Sequence, residues 1–391
     1  MKKKFIYLDY AASTPVDQKV QKAMLPFLRI EFGNPSSVHQ LGQRARAAVE
    51  SARERVAMFL DCSANEVVFT SGASEANNLA IQGVLKSKST KPHVITLAIE
   101  HESVLAPIYA LEKEGMIEAT FVKVGKEGIV NPQDIKKAMQ ENTILVSIQY
   151  ANSEIGSIQP IREIGKIIKS HKLQTKNSQL VFHTDAVQAA LYLPCNIEKL
   201  GVDMLTLSSH KIYGPKGVGT LYIRKGILLR PLFFGGGQEQ DIRSGTENVP
   251  GIVGMGEAIQ EIQNPKSKVQ NIRIRQLRDK FIKIIPQRIS GAELTGSLAQ
   301  RLPNNVHVRL KGVLGKDVVL LLDQKGIAVS TGSACSERSE KPSHVLLNMG
   351  HEQEEALGAL RITLGKHTRK EEVEKTIKIL QKTVEQLRAK K

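Results

Sequence analysis

The 391-residue sequence has no tryptophan and only three cysteines, and aromatic residues make up 4% of the chain. The cysteines, Cys62, Cys195 and Cys335, lie far apart, and no CxxC pair occurs. An odd number of widely spaced cysteines argues against a disulfide framework and a structural zinc site, and it favours a reducing compartment. A lone cysteine is usually a small buried apolar side chain, so each of the three needs local evidence before it is assigned any chemistry.

Long apolar runs are also absent. The apolar segment that follows the N-terminal lysines, residues 5–8, stops at Asp9 and is much too short for the core of a signal peptide. The strongest run elsewhere, residues 318–322, lies between Asp317 and Asp323, whereas a membrane helix needs about 20 apolar residues. We therefore expect a cytoplasmic protein without membrane segments.

Positive charge is in excess, because 55 lysines and arginines against 39 aspartates and glutamates give a formal net charge of +16. Such an excess raises the question of binding to nucleic acid phosphates. The basic residues are nevertheless scattered, usually near acidic ones, and no compact basic stripe carries interleaved aromatics. A lysine-rich solvated surface is therefore the favoured interpretation, and nucleic acid is not the expected partner.

Apolar, mostly β-branched segments alternate with helical patterns between about residues 45 and 260. The expected strands are residues 67–70, 93–99, 120–124, 144–151, 180–185 and 204–208, and the expected helices include 44–60, 103–114, 134–140 and 161–171. Repeated strand–helix units predict a largely parallel sheet with helices on both faces. Ligands of such sheets bind at the carboxyl ends of the strands.

The rest of the chain predicts a second, smaller unit. A strand at residues 217–223 and helices at 249–262 and 269–284 are followed by short strands at 305–310, 327–330 and 360–364. A terminal helix places Val373, Ile377, Leu380, Val384 and Leu387 on one face, which favours packing on its own domain over a short coiled coil. We expect a large α/β domain over residues 16–260 and a smaller α+β domain formed by residues 1–15 and 261–391.

Three segments place a polar group at the carboxyl end of an expected strand. In FTSGASE (69–75), Ser74 and a helix start suit a phosphate, although a simple helix cap is the more ordinary interpretation. Asp185, in HTDAVQ (183–188), points to a ligand crevice or, equally, caps the next helix. Lys211, in SSHKIYGPKG (208–217), suits a Schiff base with a carbonyl compound. A lysine, a carboxylate and a phosphate turn together are what pyridoxal 5′-phosphate requires.

The segment STGSACS, residues 330–336, places Cys335 among small and hydroxylated residues at the start of a polar stretch. A buried structural cysteine is expected in an apolar run, so we expect Cys335 to be an exposed thiol on a mobile loop. Arg338 and Lys341 follow closely, and nearby positive charge favours the nucleophilic thiolate. Cys62 and Cys195 have no such surroundings, which makes Cys335 the candidate nucleophile.

Five segments in family order resemble the NifS/IscS-type cysteine desulfurases. They are LDYAASTP at 8–15, FGNPSS at 32–37, SSHKIYGPKG at 208–217, RSGTEN at 243–248 and GSAC at 332–335. The resemblance runs from about residue 5 to the end of the chain. It implies the class V aminotransferase fold, which is the aspartate aminotransferase-like α/β fold of pyridoxal-phosphate-dependent transferases, and it implies a homodimer.

The resemblance also implies a role for each matching residue. Lys211 would hold the cofactor as a Schiff base, Asp185 would pair with its pyridine nitrogen, and Gln188 would bond its phenolic oxygen. His101 would stack on the ring and could shuttle protons. The phosphate would be bound by Ala73, Ser74, Ser208 and His210, joined by Thr246 of the second subunit, and the substrate carboxylate by Arg361, assisted by Asn34 and Asn152.

The activity implied by the resemblance converts L-cysteine to L-alanine and leaves the sulfur as a persulfide on Cys335. Lys211 would remove the α-proton, and the Cys335 thiolate would then attack the substrate sulfur. The polar stretch after Cys335 is similar to the long loop of members that donate sulfur to an acceptor or scaffold protein for iron–sulfur clusters, thio-cofactors or tRNA. No resident metal is implied, although Cys335 could contact an iron–sulfur cluster during transfer.

A few features depart from the commoner pattern of the family. Ser74 replaces a threonine and keeps its hydroxyl, and Ser153 stands where many members carry a second asparagine. The chain ends at Lys391 without the longer tail of some scaffold-binding members, which leaves the docking mode of the acceptor open. Two alternatives also stay open: a selenocysteine lyase or other class V enzyme, and a basic nucleic-acid-binding protein whose lysine site is vestigial.

Overall fold

The computed structural model describes residues 5–85, 91–175, 177, 179–332 and 341–389. Its strands are β1 (Ile6–Tyr7), β2 (Val67–Thr70), β3 (His93–Leu97), β4 (Glu118–Val122), β5 (Thr143–Ser147), β6 (Val181–Asp185), β7 (Met204–Ser208), β8 (Gly219–Ile223), β9 (Ala292–Leu294), β10 (Asn305–Leu310), β11 (Ile327–Ala328) and β12 (Ala359–Thr363). Its α-helices are α1 (Gln18–Arg29), α2 (Gln40–Leu60), α3 (Ala73–Gly83), α4 (Glu102–Lys113), α5 (Pro132–Ala138), α6 (Ile161–Thr175), α7 (Ile197–Leu200), α8 (Val249–Gln263), α9 (Pro265–Arg288), α10 (Gly315–Gln324), α11 (His344–Asn348), α12 (Gln353–Leu357) and α13 (Lys370–Arg388).

The largest sheet has seven strands in the order β2-β8-β7-β6-β5-β3-β4. The strands from β4 to β7 pair in parallel, whereas β8 is antiparallel to both of its neighbours, β2 and β7. Every residue of β2, β3, β5, β6, β7 and β8 is buried, which explains why these strands appear in the sequence as continuous apolar runs. The predicted α/β fold with a largely parallel sheet is confirmed.

Helices cover both faces of this sheet. Leu145 and Val146 are consecutive on β5, and they belong to two different apolar clusters because successive side chains of a strand point to opposite faces. One cluster includes residues of α2, α6 and α8, and the other includes residues of α3 and α4. The two faces of the sheet are thus apolar, whereas polar side chains such as Asp185 and Ser208 lie at the carboxyl ends of its strands.

A second, antiparallel sheet has the order β12-β10-β9, and β1 pairs in parallel with β11. Its apolar cluster includes Phe281 of α9, Val318 of α10, and the stripe of α13 from Val373 to Val384. The terminal helix thus buries its apolar stripe in this cluster and packs against α9 and α10, as its apolar spacing predicts. The segment after β1 then crosses to the large sheet, where the backbone N–H of Thr14 donates to the His210 carbonyl at 2.9 Å.

Some elements differ from the sequence-based expectation. Strand β4 lies at Glu118–Val122, two residues before the predicted range of 120–124, and four of its five residues are exposed or half-exposed. Helix α1 was not expected, although its apolar residues recur at helical spacing: Val20 is buried, and Met24 and Phe27 pack against the same apolar cluster. No helix in the described part of the chain combines the length and apolar content that crossing a membrane requires.

Candidate active site

A cavity of about 430 Å³ opens where the carboxyl ends of β5, β6 and β7 meet the segment that follows β1. Nine of the site residues expected from the sequence line it: Ala73, Ser74, His101, Asp185, Gln188, Ser208, His210, Lys211 and Arg361. They come from both sheets and from the starts of α3 and α4. The fold thus gathers residues that are spread over nearly 290 positions of the chain into one site.

Lys211 lies in a short 3-10 turn, Ser209–Lys211, directly after β7. Its Nζ donates hydrogen bonds to the backbone carbonyls of Ala11, at 2.5 Å, and Ala12, at 2.8 Å. The turn is tight, because any side chain at Gly214 would collide with the Ser209 hydroxyl. The turn that carries Lys211 and the carbonyls of Ala11 and Ala12 therefore hold its amine at the cavity wall.

Asp185 is the last residue of β6 and is 8% exposed. Its Oδ2 accepts a hydrogen bond from Nδ2 of Asn77 at 2.8 Å, and its Oδ1 accepts the backbone N–H of Val187 at 3.0 Å. The second bond is the local one that a capping aspartate makes, so Asp185 both closes the turn and faces the cavity. Gln188 follows, with its Nε2 donating to the Ala11 carbonyl at 3.0 Å. The carboxylate is thus held in one orientation, ready to bind a cation.

His101 caps the N-terminus of α4, and its Nδ1 accepts the backbone N–H of Ser103 at 3.1 Å. The Ser103 hydroxyl lies 2.8 Å from the same nitrogen. Burial lowers the pKa of His101; Asp185 opposes this effect and the Lys211 ammonium adds to it. The imidazole is therefore neutral around pH 7, since its ordinary pKa already lies below that pH.

The turn between β2 and α3, residues 71–75, lines another part of the cavity together with Lys216 and Gly217. A Cβ added at Gly72 or Gly217 would meet no protein atom within 4 Å, so the backbone borders open space there. The first N–H groups of a helix have no partner inside the helix and favour an anion. This backbone cradle has the composition that a phosphate group needs.

His210 and Ser208 lie on the cavity wall beside Lys211. Burial, helped by the charges of Lys211 and Lys216, lowers the pKa of His210 to about 4, and its Nδ1 lies 3.3 Å from the Ser13 hydroxyl. A neutral imidazole can still share its one N–H with a phosphate oxygen. An amine, a carboxylate and a cradle for an anion therefore surround one cavity, and these groups fit pyridoxal 5′-phosphate.

Arg361 lies on β12 and is only 2% exposed. Its Nη1 donates to the Ser153 carbonyl at 3.1 Å, and its Nη2 donates to Oδ1 of Asp9 at 2.8 Å. Its Nε is buried without a hydrogen-bond partner. A guanidinium has five N–H donors, so donors remain for a carboxylate that enters the cavity.

Three of the expected residues do not line this cavity. Asn34 is exposed, and its Oδ1 accepts the backbone N–H of Ser36 at 2.9 Å. Asn152 is 2% exposed, and its amide bonds to the Ile99 carbonyl at 3.0 Å and to the backbone N–H groups of residues 154 and 155. The neighbouring residue, Ser153, lines the cavity instead. Thr246 is exposed and borders a separate, smaller cavity of about 80 Å³.

Cys335 lies outside the residues that the structure describes. The other two cysteines, Cys62 and Cys195, lie within the described residues. Burial raises the pKa of the Cys195 thiol to about 12, and burial together with the Glu66 and Asp61 charges raises that of Cys62 to about 12. Both side chains are therefore thiols and not thiolates at neutral pH. Within the described ranges, no group of three or more histidine, cysteine or acidic side chains could hold a metal ion.

Several polar residues at the site were not singled out from the sequence. Asn77 bonds to Asp185 across 108 residues, and Asp9 bonds to Arg361 across 352 residues. Glu100 is fully buried behind Gln149, whose backbone N–H it accepts at 2.7 Å, and burial, followed by the nearby Asp185 charge, raises its pKa well above the usual value. Only Asp9 lies inside a recognised motif, which offered a signal that could have been used.

The family described as aminotransferase class-V matches residues 6–376, and the chain belongs to this family of pyridoxal-phosphate enzymes. The cysteine desulfurase IscS of Dictyoglomus turgidum is 48% identical over 387 residues, covering 99% of this chain and 96% of that protein. Cysteine desulfurase IscS 1 of Archaeoglobus fulgidus is 45% identical and covers 98% of each chain. A solved NifS-like protein is 38% identical, has a TM-score of 0.90, and covers 98% of this chain and 100% of its own. The resemblance to NifS/IscS-type cysteine desulfurases and the expected fold are therefore confirmed.

Proposed function

We propose that this chain is a cysteine desulfurase that converts L-cysteine to L-alanine and transfers the sulfur to its own Cys335. The observation that carries the proposal is a single cavity lined by Lys211, Asp185, His101 and Arg361. These groups are an amine, a carboxylate, an imidazole and a guanidinium, which are the groups that a pyridoxal-phosphate enzyme acting on an amino acid needs. Relatives named cysteine desulfurase match almost the whole chain, which supports this choice of substrate.

The cofactor would be bound by the residues around the Lys211 turn and the start of α3. Lys211 Nζ would hold it covalently, Asp185 would keep its ring nitrogen protonated, and Gln188 would bond its phenolic oxygen. The phosphate would be bound by Ala73, Ser74, Ser208 and His210. When bound, pyridoxal phosphate withdraws electrons from the substrate carbon next to the amino group.

Arg361 would bind the carboxylate of L-cysteine. Its guanidinium is buried, so a carboxylate that reaches it forms a charge-assisted pair shielded from water. The bonds to Ser153 and Asp9 hold the guanidinium plane in place before the substrate arrives. Asn34 and Asn152 would assist around the substrate; Asn152 would do so by shaping the turn that carries Ser153.

Lys211 would take the substrate proton, and His101 would remain neutral. Lys211 Nζ, once released as a neutral amine, would take the α-proton of the substrate, because the Ala11 and Ala12 carbonyls keep it close to the cavity. His101 would lie against the cofactor ring as a neutral imidazole, in keeping with the lowered pKa that burial gives it.

Cys335 would act as the sulfur acceptor. Its thiolate would attack the substrate sulfur, an S–S bond would form, and the C–S bond would break with its electron pair moving to the carbon. That carbon would take up a proton, and the product would leave as L-alanine. The persulfide on Cys335 then contains the sulfur that L-cysteine has lost. The raised pKa values of Cys62 and Cys195, both about 12, argue against either of them as the nucleophile.

Further proposals concern assembly. We propose a homodimer in which Thr246 contacts the cofactor phosphate of the second subunit. Thr246 is exposed and does not line the candidate active site of its own subunit. Exposed apolar side chains support this, among them Phe32 at 70%, Phe233 at 55% and Phe234 at 76% exposure. A cytoplasmic acceptor or scaffold protein would take the sulfur for iron–sulfur clusters or thio-cofactors, and Cys335 could contact a cluster during transfer.

We also propose a division into two domains, with residues 16–260 in the large one and residues 1–15 and 261–391 in the small one. The pairing of β1 with β11 supports the assignment of the N-terminal residues to the small domain. The separate apolar cluster around β10 and β12, which includes Ile6 and Leu8, supports it as well. In this division Cys335 belongs to the small domain.

The proposal is tested by assaying L-alanine and sulfide formation from L-cysteine, with a thiol reductant present to release the persulfide. Lys211→Ala is expected to abolish turnover. Cys335→Ala is expected to keep the visible absorption of the bound cofactor and lose alanine formation, whereas the matched control Cys62→Ala keeps both. A fully active Cys335→Ala enzyme would contradict the sulfur-transfer step.

The same preparation distinguishes the alternatives. Turnover of L-selenocysteine with negligible turnover of L-cysteine would identify a selenocysteine lyase instead. A colourless protein that binds nucleic acid in a salt-sensitive manner would overturn the enzymatic proposal altogether. A desulfurase is expected to be yellow, to release alanine and persulfide sulfur in equal amounts, and to use L-cysteine.

A further inference from the structure

Two donors converge on one ring nitrogen of His101. The backbone N–H of Ser103 lies 3.1 Å from Nδ1, and the Ser103 hydroxyl oxygen lies 2.8 Å from the same atom. A backbone N–H can only donate, so Nδ1 has to accept and carries no proton in this arrangement. The proton of the neutral ring then belongs on Nε2.

The orientation of the Ser103 hydroxyl is set by a second residue, Asn77, which is fully buried. Its Nδ2 donates to the Ser103 hydroxyl oxygen at 2.9 Å and to Oδ2 of Asp185 at 2.8 Å. An ionised carboxylate only accepts, so the amide has to present its NH₂ group on this side. The Ser103 oxygen is therefore occupied as an acceptor, and its own proton points to Nδ1 of His101.

We infer that Asn77 and Ser103 are positioning residues that hold His101 as the neutral Nε2–H tautomer, so that the imidazole offers the cavity a hydrogen-bond donor. The chain of bonds runs from Asp185 through Asn77 and Ser103 to His101 and links the proposed partner of the ring nitrogen with the proposed stacking residue. This inference rests on the proposed function for its catalytic meaning, while the tautomer itself is a property of the folded chain.

The charges around His101 agree with a neutral ring. Burial, which has the largest effect, disfavours the cation together with Lys211 and His344, whereas Asp185 and Glu102 favour it; the net effect is a lowered pKa of His101. A protonated Nδ1 would also point its hydrogen at the backbone N–H of Ser103, which cannot turn away. His101 thus cannot accept a proton at Nε2 without first losing one, which leaves Lys211 as the residue that takes the α-proton.

The tautomer can be read directly in the holoenzyme labelled with nitrogen-15 histidine, in which the protonated and unprotonated ring nitrogens resonate far apart. His101 is assigned by comparison with His101→Gln. We expect a protonated Nε2 and an unprotonated Nδ1 at pH 7. A protonated Nδ1, a doubly protonated ring, or rapid averaging of the two nitrogens would overturn the inference, whether or not the enzyme desulfurates cysteine.

Variants test the two positioning residues. Ser103→Ala removes one of the two donors to Nδ1, so its resonance is expected to move further toward that of a nitrogen without hydrogen bonds. The loss of one hydrogen bond is expected to lower kcat about threefold to tenfold, with KM little changed. Ser103→Thr keeps the hydroxyl and is expected to restore both the resonance and kcat. An unchanged resonance in Ser103→Ala would contradict the role of the hydroxyl.

Asn77→Ala is compared with Asn78→Ala, a neighbour whose amide bonds only within α3, to the Ser74 carbonyl and to Gln82. We expect the Nδ1 resonance to change in Asn77→Ala and to stay unchanged in Asn78→Ala. Because Asn77 acts through Ser103, the Asn77→Ala/Ser103→Ala double variant is expected to shift the Nδ1 resonance of His101 no further than Ser103→Ala alone does. Additive changes would show two independent contacts and would refute the chain of bonds.

Discussion

Glu239 holds the segment that carries Thr246 against α2 through a buried ion pair and against β2 through a backbone hydrogen bond. Its carboxylate accepts hydrogen bonds from Arg53 at 2.7 and 2.8 Å, and from the backbone N–H of Phe69 at 2.8 Å. The side chains of Arg53 and Glu239 are 8% and 2% exposed. Residues 239–241 have φ values of 47°, 60° and 63° without being glycine, a conformation that is costly unless contacts hold it.

Glu239→Gln preserves the shape of the side chain but removes the buried counter-charge of the Arg53 guanidinium, which then keeps the Glu50 carboxylate, whose side chain is 49% exposed, at 3.2 Å. Removing one partner of a buried ion pair costs about 3–5 kcal/mol of unfolding free energy. With an m value of about 3 kcal/mol/M for urea, the midpoint of unfolding is expected to fall by about 1–2 M. The loss should also release the strained turn, and Thr246 with it.

The measurement is urea unfolding followed by circular dichroism, with Asp134→Asn as the matched control. Asp134 pairs with Lys137 at 3.2 Å, and their side chains are 45% and 78% exposed, so the same carboxylate-to-amide change there should cost less than about 0.5 kcal/mol. A midpoint for Glu239→Gln that is no lower than that of Asp134→Asn would refute the reasoning.

Burial lowers the pKa of His183 to about 3, from an ordinary 6.5. On acidification this imidazole is therefore protonated in the unfolded chain before it is protonated in the folded one, and the free energy of unfolding falls as the pH drops below 6.5. Between pH 7 and 5 this loss is about 2 kcal/mol, and an equal pH slope in His183→Gln would contradict it. Gly214→Ala should displace the Lys211 turn and lose the visible cofactor band, whereas Gly125→Ala should keep it. Cys195, which is buried and has a pKa of about 12, should react with thiol reagents at neutral pH only after unfolding, and fast labelling of it in the native protein would count against its burial.

Buried strands of the large sheet could be located closely from the sequence. The predicted strand at residues 204–208 coincides with β7, and the one at 180–185 differs by one residue from β6 (Val181–Asp185), because strands covered on both faces are continuous apolar runs between polar turns. Partly exposed elements were located less well. Strand β4 was placed two residues late, because it buries few side chains and so leaves little periodic signal. Helix α1 was missed although Val20, Met24 and Phe27 recur at helical spacing, so the signal was present and could have been used.

The residues that carry chemistry were found in the same way, through local motifs. Asp185 ends one buried strand and Lys211 follows the next, and the carboxyl ends of parallel strands meet at one edge of the sheet, so their meeting in one cavity could be expected from the sequence. The positions of Asn34 and Asn152 could not, because a motif does not tell whether a side chain lines a cavity or closes a turn.

By itself the sequence determined the fold class, the cofactor chemistry and the chain positions of the lysine, the carboxylate and the candidate thiol, because each rests on a short local pattern. The tertiary structure alone decided which donors reach which acceptors. Asp9 holds Arg361 across 352 residues, and Asn77 joins Asp185 across 108 residues and Ser103 across 26. Such contacts depend on the order of the strands and on the faces of the helices packed over them, and these set the protonated nitrogen of His101.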